Sequence, residues 1–191
     1  MSKLGCIFFL AVFLLFSGSF YVPATGEEPE TITWLILDLP PLFITKGPDK
    51  RNGIAGRVQK MIINGLKGRR SETRAANASR IAWELNQDRK VCFTGEFYGN
   101  RAFLTSVPTI ALPPHNLIVL KENAEALPIR GAVRCPDTPW GRQLIQEINE
   151  VLLKIRPTPE YRGIMEDWIV APGNGEDYWK IHEDQVLKVT E

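Results

Sequence analysis

Thr31 to Asp38 (TITWLILD) is apolar at almost every position, which predicts a strand covered on both faces, as in a parallel sheet. Pro40 and Pro41 end it, because proline cannot donate to a strand ladder. A polar, turn-rich loop from Thr45 to Asn52 leads to Gly53 and Gly56. From Arg57 the period changes: Val58, Met61, Ile62 and Leu66 fall at helical spacing, and Gly65 and Gly68 close the segment. Strand, loop and helix in this order predict the first half of a βαβ unit.

Asn77 to Arg89 reads as a second helix, with Ala78, Ile81, Ala82 and Leu85 on one face and Asn77 or Ser79 as cap. Val91 to Phe93 reads as a short strand, and Asn116 to Leu120 (NLIVL) as another after the Pro113-Pro114 break. Thr138-Pro139 is a helix start with proline at the first position, and Leu144, Ile145, Ile148, Leu152 and Ile155 form its apolar stripe. Thr158-Pro159 repeats the start signal before Tyr161, Ile164, Met165, Trp168 and Ile169. The tail from Asp177 to Glu191 is expected to pack as a short helix through Tyr178, Trp179 and Ile181. The fold class is therefore α/β.

Residues 1–26 change the compartment. Lys3, an apolar run from Ile7 to Phe16, and small residues ending in Ala24, Thr25 and Gly26 read as a secretory signal peptide cleaved near Gly26. The run is shorter than the roughly 20 residues a membrane span needs, so the expectation is a periplasmic protein without a stable membrane anchor. Removal of Lys3 leaves 22 basic against 22 acidic side chains, a balance that gives no electrostatic reason to bind nucleic acid. Lys67, Arg69, Arg70 and Arg74 form the one local basic run, and beside Ser71, Glu72 and Thr73 they read as a solvated loop. Cys92 and Cys135 survive cleavage; in an oxidising compartment they are expected to form a disulfide, with two buried thiols as the alternative.

Candidate chemistry is sparse. His115 and His182 lie far apart and outside metal-ligand spacings, no G-x-S-x-G turn exists, and Gly53-Ile54-Ala55-Gly56 lacks the third glycine and lysine of a phosphate cradle. Glu96 with Asp38 is the only acid and base pair worth drawing, and the chain reads as a non-enzyme without cofactor or metal. The stretch from Val91 to Pro108 says more. Thr94 and Gly95 follow a buried strand, where a hydroxyl and an amide are expected at the sheet's carboxyl edge. Arg101 lies a few residues on, near Ser106, with a guanidinium able to grip a carboxylate through two bonds.

The order of these features resembles the family 3 extracytoplasmic solute-binding proteins, the periplasmic amino-acid receptors of ABC transporters with the type II periplasmic-binding fold. The matching residues are the D-x-P-P-L-F turn (Asp38 to Phe43), the G-x-x-G before the first helix, and the strand, loop and arginine followed by Thr105 to Pro108. A late G-x-x-L-I-x-x-I-N helix (Gly141 to Asn149) and the segment Tyr161 to Trp168 complete the match. The resemblance implies that Arg101 holds the α-carboxylate of an amino acid or similar small carboxylate, assisted by Thr94, Asp38, Phe43 and Ser106, and that an ABC transporter membrane component is the partner. It also implies a first lobe over 27–120, a crossover over 121–134 and returning helices over 135–191. Fourteen residues from Lys121 to Arg134 are too few for a second lobe. A sensory or protein-interaction module on the same fold, and a remnant without ligand binding, are the alternatives.

Overall fold

The large apolar side chains of β1 (Thr31–Ile36) alternate between two faces, and that alternation sets the layers. In the computed structural model, which describes residues 29–87, 89–95, 103–112, 129–168 and 175–190, Ile32, Trp34 and Ile36 enter one buried cluster and Leu35 enters another. The signal segment, the expected strand 116–120, Glu96, Arg101 and His115 lie outside the described residues. The first cluster is closed by α1 (Ile54–Gly65), α3 (Pro139–Ile155) and α4 (Pro159–Trp168). The second is closed by α2 (Ala78–Leu85), through Ile81 and Leu85. The same division runs along β3 (Val91–Thr94), where Cys92 joins the first cluster and Val91 and Phe93 the second.

A five-stranded mixed sheet separates these layers. Its remaining members are β2 (Arg70–Ala75), β4 (Leu104–Thr105) and β7 (Val133–Cys135), in the order β2-β1-β3-β7-β4. β1 runs parallel to β2 and β3; β7 runs antiparallel to β3 and β4. A separate antiparallel pair joins β5 (Ile110–Leu112) to β6 (Ile129–Gly131). Crossovers between parallel strands are right-handed, so the connection from β1 to β2 and the return from β2 across β1 to β3 put α1 and α2 on opposite faces. The winding therefore reverses between β1 and β3.

Three expectations need correction. Arg70 to Ala75 is an edge strand and not a solvated loop, and two arginines of the run, Arg69 and Arg74, are paired. Arg69 makes two bonds of 2.8 Å to Glu147 of α3 and also pairs with Glu30. Arg74 on β2, Arg80 on α2 and Arg89 surround the fully buried carboxylate of Glu84, at 2.8, 2.6 and 3.3 Å. Burial alone would raise the Glu84 carboxyl, but the hydrogen bond from Arg80 and the three positive charges hold it below its ordinary value. Second, the expected crossover over 121–134 includes ladder residues: β6 and most of β7 fall within it, because the return chain pairs with β5 and β3. Third, the second helix ends at Leu85 rather than Arg89, where Asn86 turns its side-chain amide back to the Ala82 carbonyl.

The start of α1 shows a different limit of sequence reading. The helix begins at Ile54, one turn before the apolar spacing indicates, and has no side-chain cap. Its first N–H groups donate instead to the preceding loop: Ile54 to the Pro41 carbonyl (3.0 Å), Ala55 and Gly56 to that of Leu42 (3.0 and 3.3 Å). Gly53 permits this approach, since a Cβ there would lie 2.5 Å from the Leu42 oxygen and 2.6 Å from that of Pro41. The peptide bond between Pro40 and Pro41 is cis. α3 by contrast starts as its sequence indicates, with the Thr138 hydroxyl accepting from the Gly141 N–H at 3.0 Å.

Cys92 and Cys135 form the expected disulfide, with both residues fully buried. The ladder explains the pairing: Phe93 faces Arg134 and Thr94 faces Val133, so the next pair along the two strands is Cys92 and Cys135. The bond closes a chain segment of sequence separation 43. Replacing both cysteines by alanine is expected to lower unfolding stability by about 2–4 kcal/mol in urea titrations, mainly by releasing the unfolded chain. A loss below about 0.5 kcal/mol would deny the bond a stabilising role.

Candidate functional site

Three strand ends meet at one edge of the sheet. The carboxyl ends of β1 and β3 lie side by side where the winding reverses, and open α/β sheets bind ligands in the crevice outside such a point. β7 enters from the same edge, so Val133 stands between Thr94 of β3 and Ser106, which follows β4. The loop from Leu37 to Phe43 and the first turn of α1 complete the edge.

The sequence-selected residues hold different positions there. Thr94 is buried; its hydroxyl accepts from the Gln59 side chain of α1 at 3.1 Å, and the Gly95 N–H donates to the Ala132 carbonyl at 2.9 Å. Ser106 is also buried, accepting from the Val133 N–H at 2.9 Å and donating to the Val107 carbonyl at 2.8 Å. Phe43 belongs to the main core and bridges Leu39 through two backbone bonds of 2.9 and 3.0 Å. Asp38 is the exposed member. Its carboxylate accepts from the Thr45 N–H at 3.2 Å, and side-chain and backbone bonds from Thr45 hold it below its usual range.

Beside this edge, between α1 and β2, lies a cavity of about 690 Å³. The cause is the size of the β2 side chains. Where β1 presents Ile32, Trp34 and Ile36 to the α1 side, β2 presents Ser71 and Thr73, and Ser71 accepts the indole N–H of Trp34 at 3.1 Å. Phe43, Ile44, Met61 and Ile164 supply apolar walls, and Lys50, Arg51, Arg57 and Lys60 line it with positive charge. Among the described sequence-selected residues, Phe43 alone lines this space; the four cations give no sequence signal, because their convergence depends on the βαβ turn.

A third constellation lies away from both. His182 of α5 (Gly175–His182) is buried among Tyr161, Tyr178 and Trp179. The Tyr178 hydroxyl is 3.3 Å from both His182 Nδ1 and the Ala111 carbonyl, and the Tyr161 hydroxyl donates to the Thr109 carbonyl. Arg156 donates to the Val186 carbonyl and, at 2.8 Å, to that of Val189. These bonds fasten the C-terminal segment to the chain before and within β5. Burial first, then the charges of Arg156 and Arg162, push His182 down to about 4, and burial raises both tyrosine hydroxyls. The network holds structure together and offers no solvent-facing nucleophile.

Among the described residues no group of three His, Cys, Asp or Glu side chains could hold a metal ion, and no helix is long and apolar enough to cross a membrane. Comparisons with protein-family models, curated proteins and solved structures give no match for this chain.

His182 fixes one pH dependence. Its folded value lies below the ordinary 6.5, so the unfolded chain holds the extra proton between about pH 6.5 and 4. Stability is therefore full above pH 6.5 and falls as the pH drops toward 4, by up to about 3 kcal/mol. Urea midpoints measured across this window should flatten in His182→Gln; an unchanged slope would remove His182 as the cause.

Proposed function

We propose that this chain is an exported α/β binding domain of the solute-binding-protein type, taking an amino acid or similar small carboxylate at the carboxyl edge of β1 and β3 for ABC-type uptake. The reversal of winding between β1 and β3 carries the reading, because open α/β sheets take their ligands outside the strand ends at such a point. Asp38 and the Leu37–Phe43 turn follow β1 at this edge, and Thr94 and Gly95 end the neighbouring strand. Arg101, which follows in sequence, supplies the guanidinium for a bidentate carboxylate contact. The single mixed sheet and the direct pairing of β5 with β6 support a one-lobed form of the type II periplasmic-binding fold.

One lobe leaves the ligand open to water. An exposed ion pair contributes only about 0–1 kcal/mol, well short of the roughly 4 kcal/mol that a 1 mM affinity requires, so the expected affinity is no tighter than about 1 mM. The inward commitment of the Thr94 and Ser106 hydroxyls favours a second reading, a non-enzymatic interaction or sensory module that uses the same edge without a small ligand. Calorimetry with a panel of L-amino acids separates the two when paired with sedimentation. Binding that Arg101→Ala abolishes supports the solute-binding reading. Absence of binding together with concentration-dependent dimerisation supports the module, and binding unchanged by Arg101→Ala removes Arg101 from the site.

A further inference from the structure

We infer that the cavity between α1 and β2 is a second binding site, one that takes a small organic molecule carrying two or more anionic groups. It adjoins the β1–β3 edge, sharing Phe43 and the first turn of α1 with it, and draws its charge from Lys50, Arg51, Arg57 and Lys60. Its lining combines apolar surface from Phe43, Ile44, Met61 and Ile164 with convergent polar and cationic side chains, contact area from the first and orientation from the second. Its volume of about 690 Å³ sits within the roughly 300–1,000 Å³ of small-molecule sites. A neighbouring cavity of about 510 Å³ shares Ile36, Ile44, Lys50, Arg51 and Thr73 with it, so the space extends toward Ala75 at the end of β2.

The cations approach from two directions. Arg57 and Lys60 stand one turn apart on α1, while Lys50 and Arg51 come from the loop before it. That loop is held in shape: the Arg51 N–H donates to the Ile44 carbonyl at 2.9 Å, Asn52 to Asp49 at 2.9 Å and Lys50 to Gly47 at 3.2 Å. Arg51 has φ of 71°, a conformation that non-glycine residues adopt uncommonly and that tends to mark functional positions. Gly56 abuts it, since a Cβ there would sit 3.2 Å from the Arg51 carbonyl oxygen. Arg57 pairs with Asp167 at 2.6 Å. Among the described residues, Lys50, Arg51 and Lys60 have no carboxylate within ion-pair distance. Glu160 is the one acid in the lining, so the surplus charge is positive.

Magnitudes select the ligand class. One exposed cation adds about 0–1 kcal/mol to a contact, so each further anionic group engaged strengthens binding by a comparable step. Only a molecule with anionic groups at both ends engages the loop and the helix together, with Asn52, Asn64 and Thr73 available for its neutral oxygens. Polycarboxylates and phosphorylated metabolites share this chemistry.

Calorimetric titration of the folded chain at low salt tests the assignment, with citrate and inorganic pyrophosphate as probes and acetate as the single-charge control. Saturable binding of one or both multivalent probes is expected, with no measurable binding of acetate. The double variant Arg51→Asn/Lys60→Gln, which keeps a residue tolerant of positive φ at 51, should weaken that binding by about 10-fold. Thr73→Leu, which fills the cavity and leaves every charge in place, should weaken it at least as much. Arg101→Ala should leave it unchanged. Failure of both multivalent probes to bind, or binding that survives both the double variant and Thr73→Leu, overturns the assignment.

Discussion

A central strand with large apolar side chains on both faces cannot be satisfied by one covering layer. Ile32, Trp34 and Ile36 require helices on one side and Leu35 requires a helix on the other, and every residue of this set is buried. Fully burying such side chains is worth about 1.5–3 kcal/mol each, so leaving the Ile32, Trp34 and Ile36 face open would cost an amount on the scale of a whole domain's stability, and leaving Leu35 open a substantial part of it. The two-faced strand therefore dictates a connection that passes over one face to β2 and returns under the other to β3. The reversal of winding at the β1–β3 edge follows from that packing demand. The crevice proposed as the solute site is a geometric by-product of how β1 is covered.

The edge of the sheet obeys a different rule. β2 has one open side, and an edge strand with a long apolar face invites pairing with other chains. Its residues Arg70, Glu72 and Arg74 alternate with Ser71 and Thr73, so neither face is hydrophobic. Charge on one face is drawn in by Glu84, whose carboxylate gathers three arginines, two of them 4.5 and 5.1 Å from the ring of half-exposed Trp83. Small size on the other face leaves the space against α1 unfilled. Protection of the edge and the existence of the cavity thus share one cause. The close backbone contact at Gly53 fixes where α1 stands over that space, and Gly65 lets its far end pack against Val151 of α3.

Elements whose signals are local were legible in the sequence. Thr138-Pro139 and Thr158-Pro159 announce α3 and α4 because cap and first-turn chemistry involve only neighbouring residues. β1 was legible because burial on two faces writes a continuous apolar run, and the disulfide because Cys92 and Cys135 are the two cysteines beyond the N-terminal apolar run. β2 was hidden, since an edge strand made of arginine, glutamate, serine and threonine has the composition of a loop until its tertiary partners are known. The start of α1 was hidden for a similar reason, its cap being two carbonyls of another segment. Thr94 and Ser106, picked out in the sequence, lie at the edge where β1 and β3 end. Nothing in the sequence tells that Gln59 and Val133 take up their hydroxyls, which depends on the ladder continuing to Thr94↔Val133.

The central claim is that the edge where β1 and β3 end is where a small carboxylate binds. Amide chemical-shift mapping of the isotope-labelled chain during titration with L-amino acids tests it most directly. The account predicts saturable shifts gathered on Leu37 to Thr45 and on Thr94 and Gly95. Shifts confined to the opposite edge, around Glu30, Arg69 and Lys90, or no saturable shift for any amino acid, would contradict it.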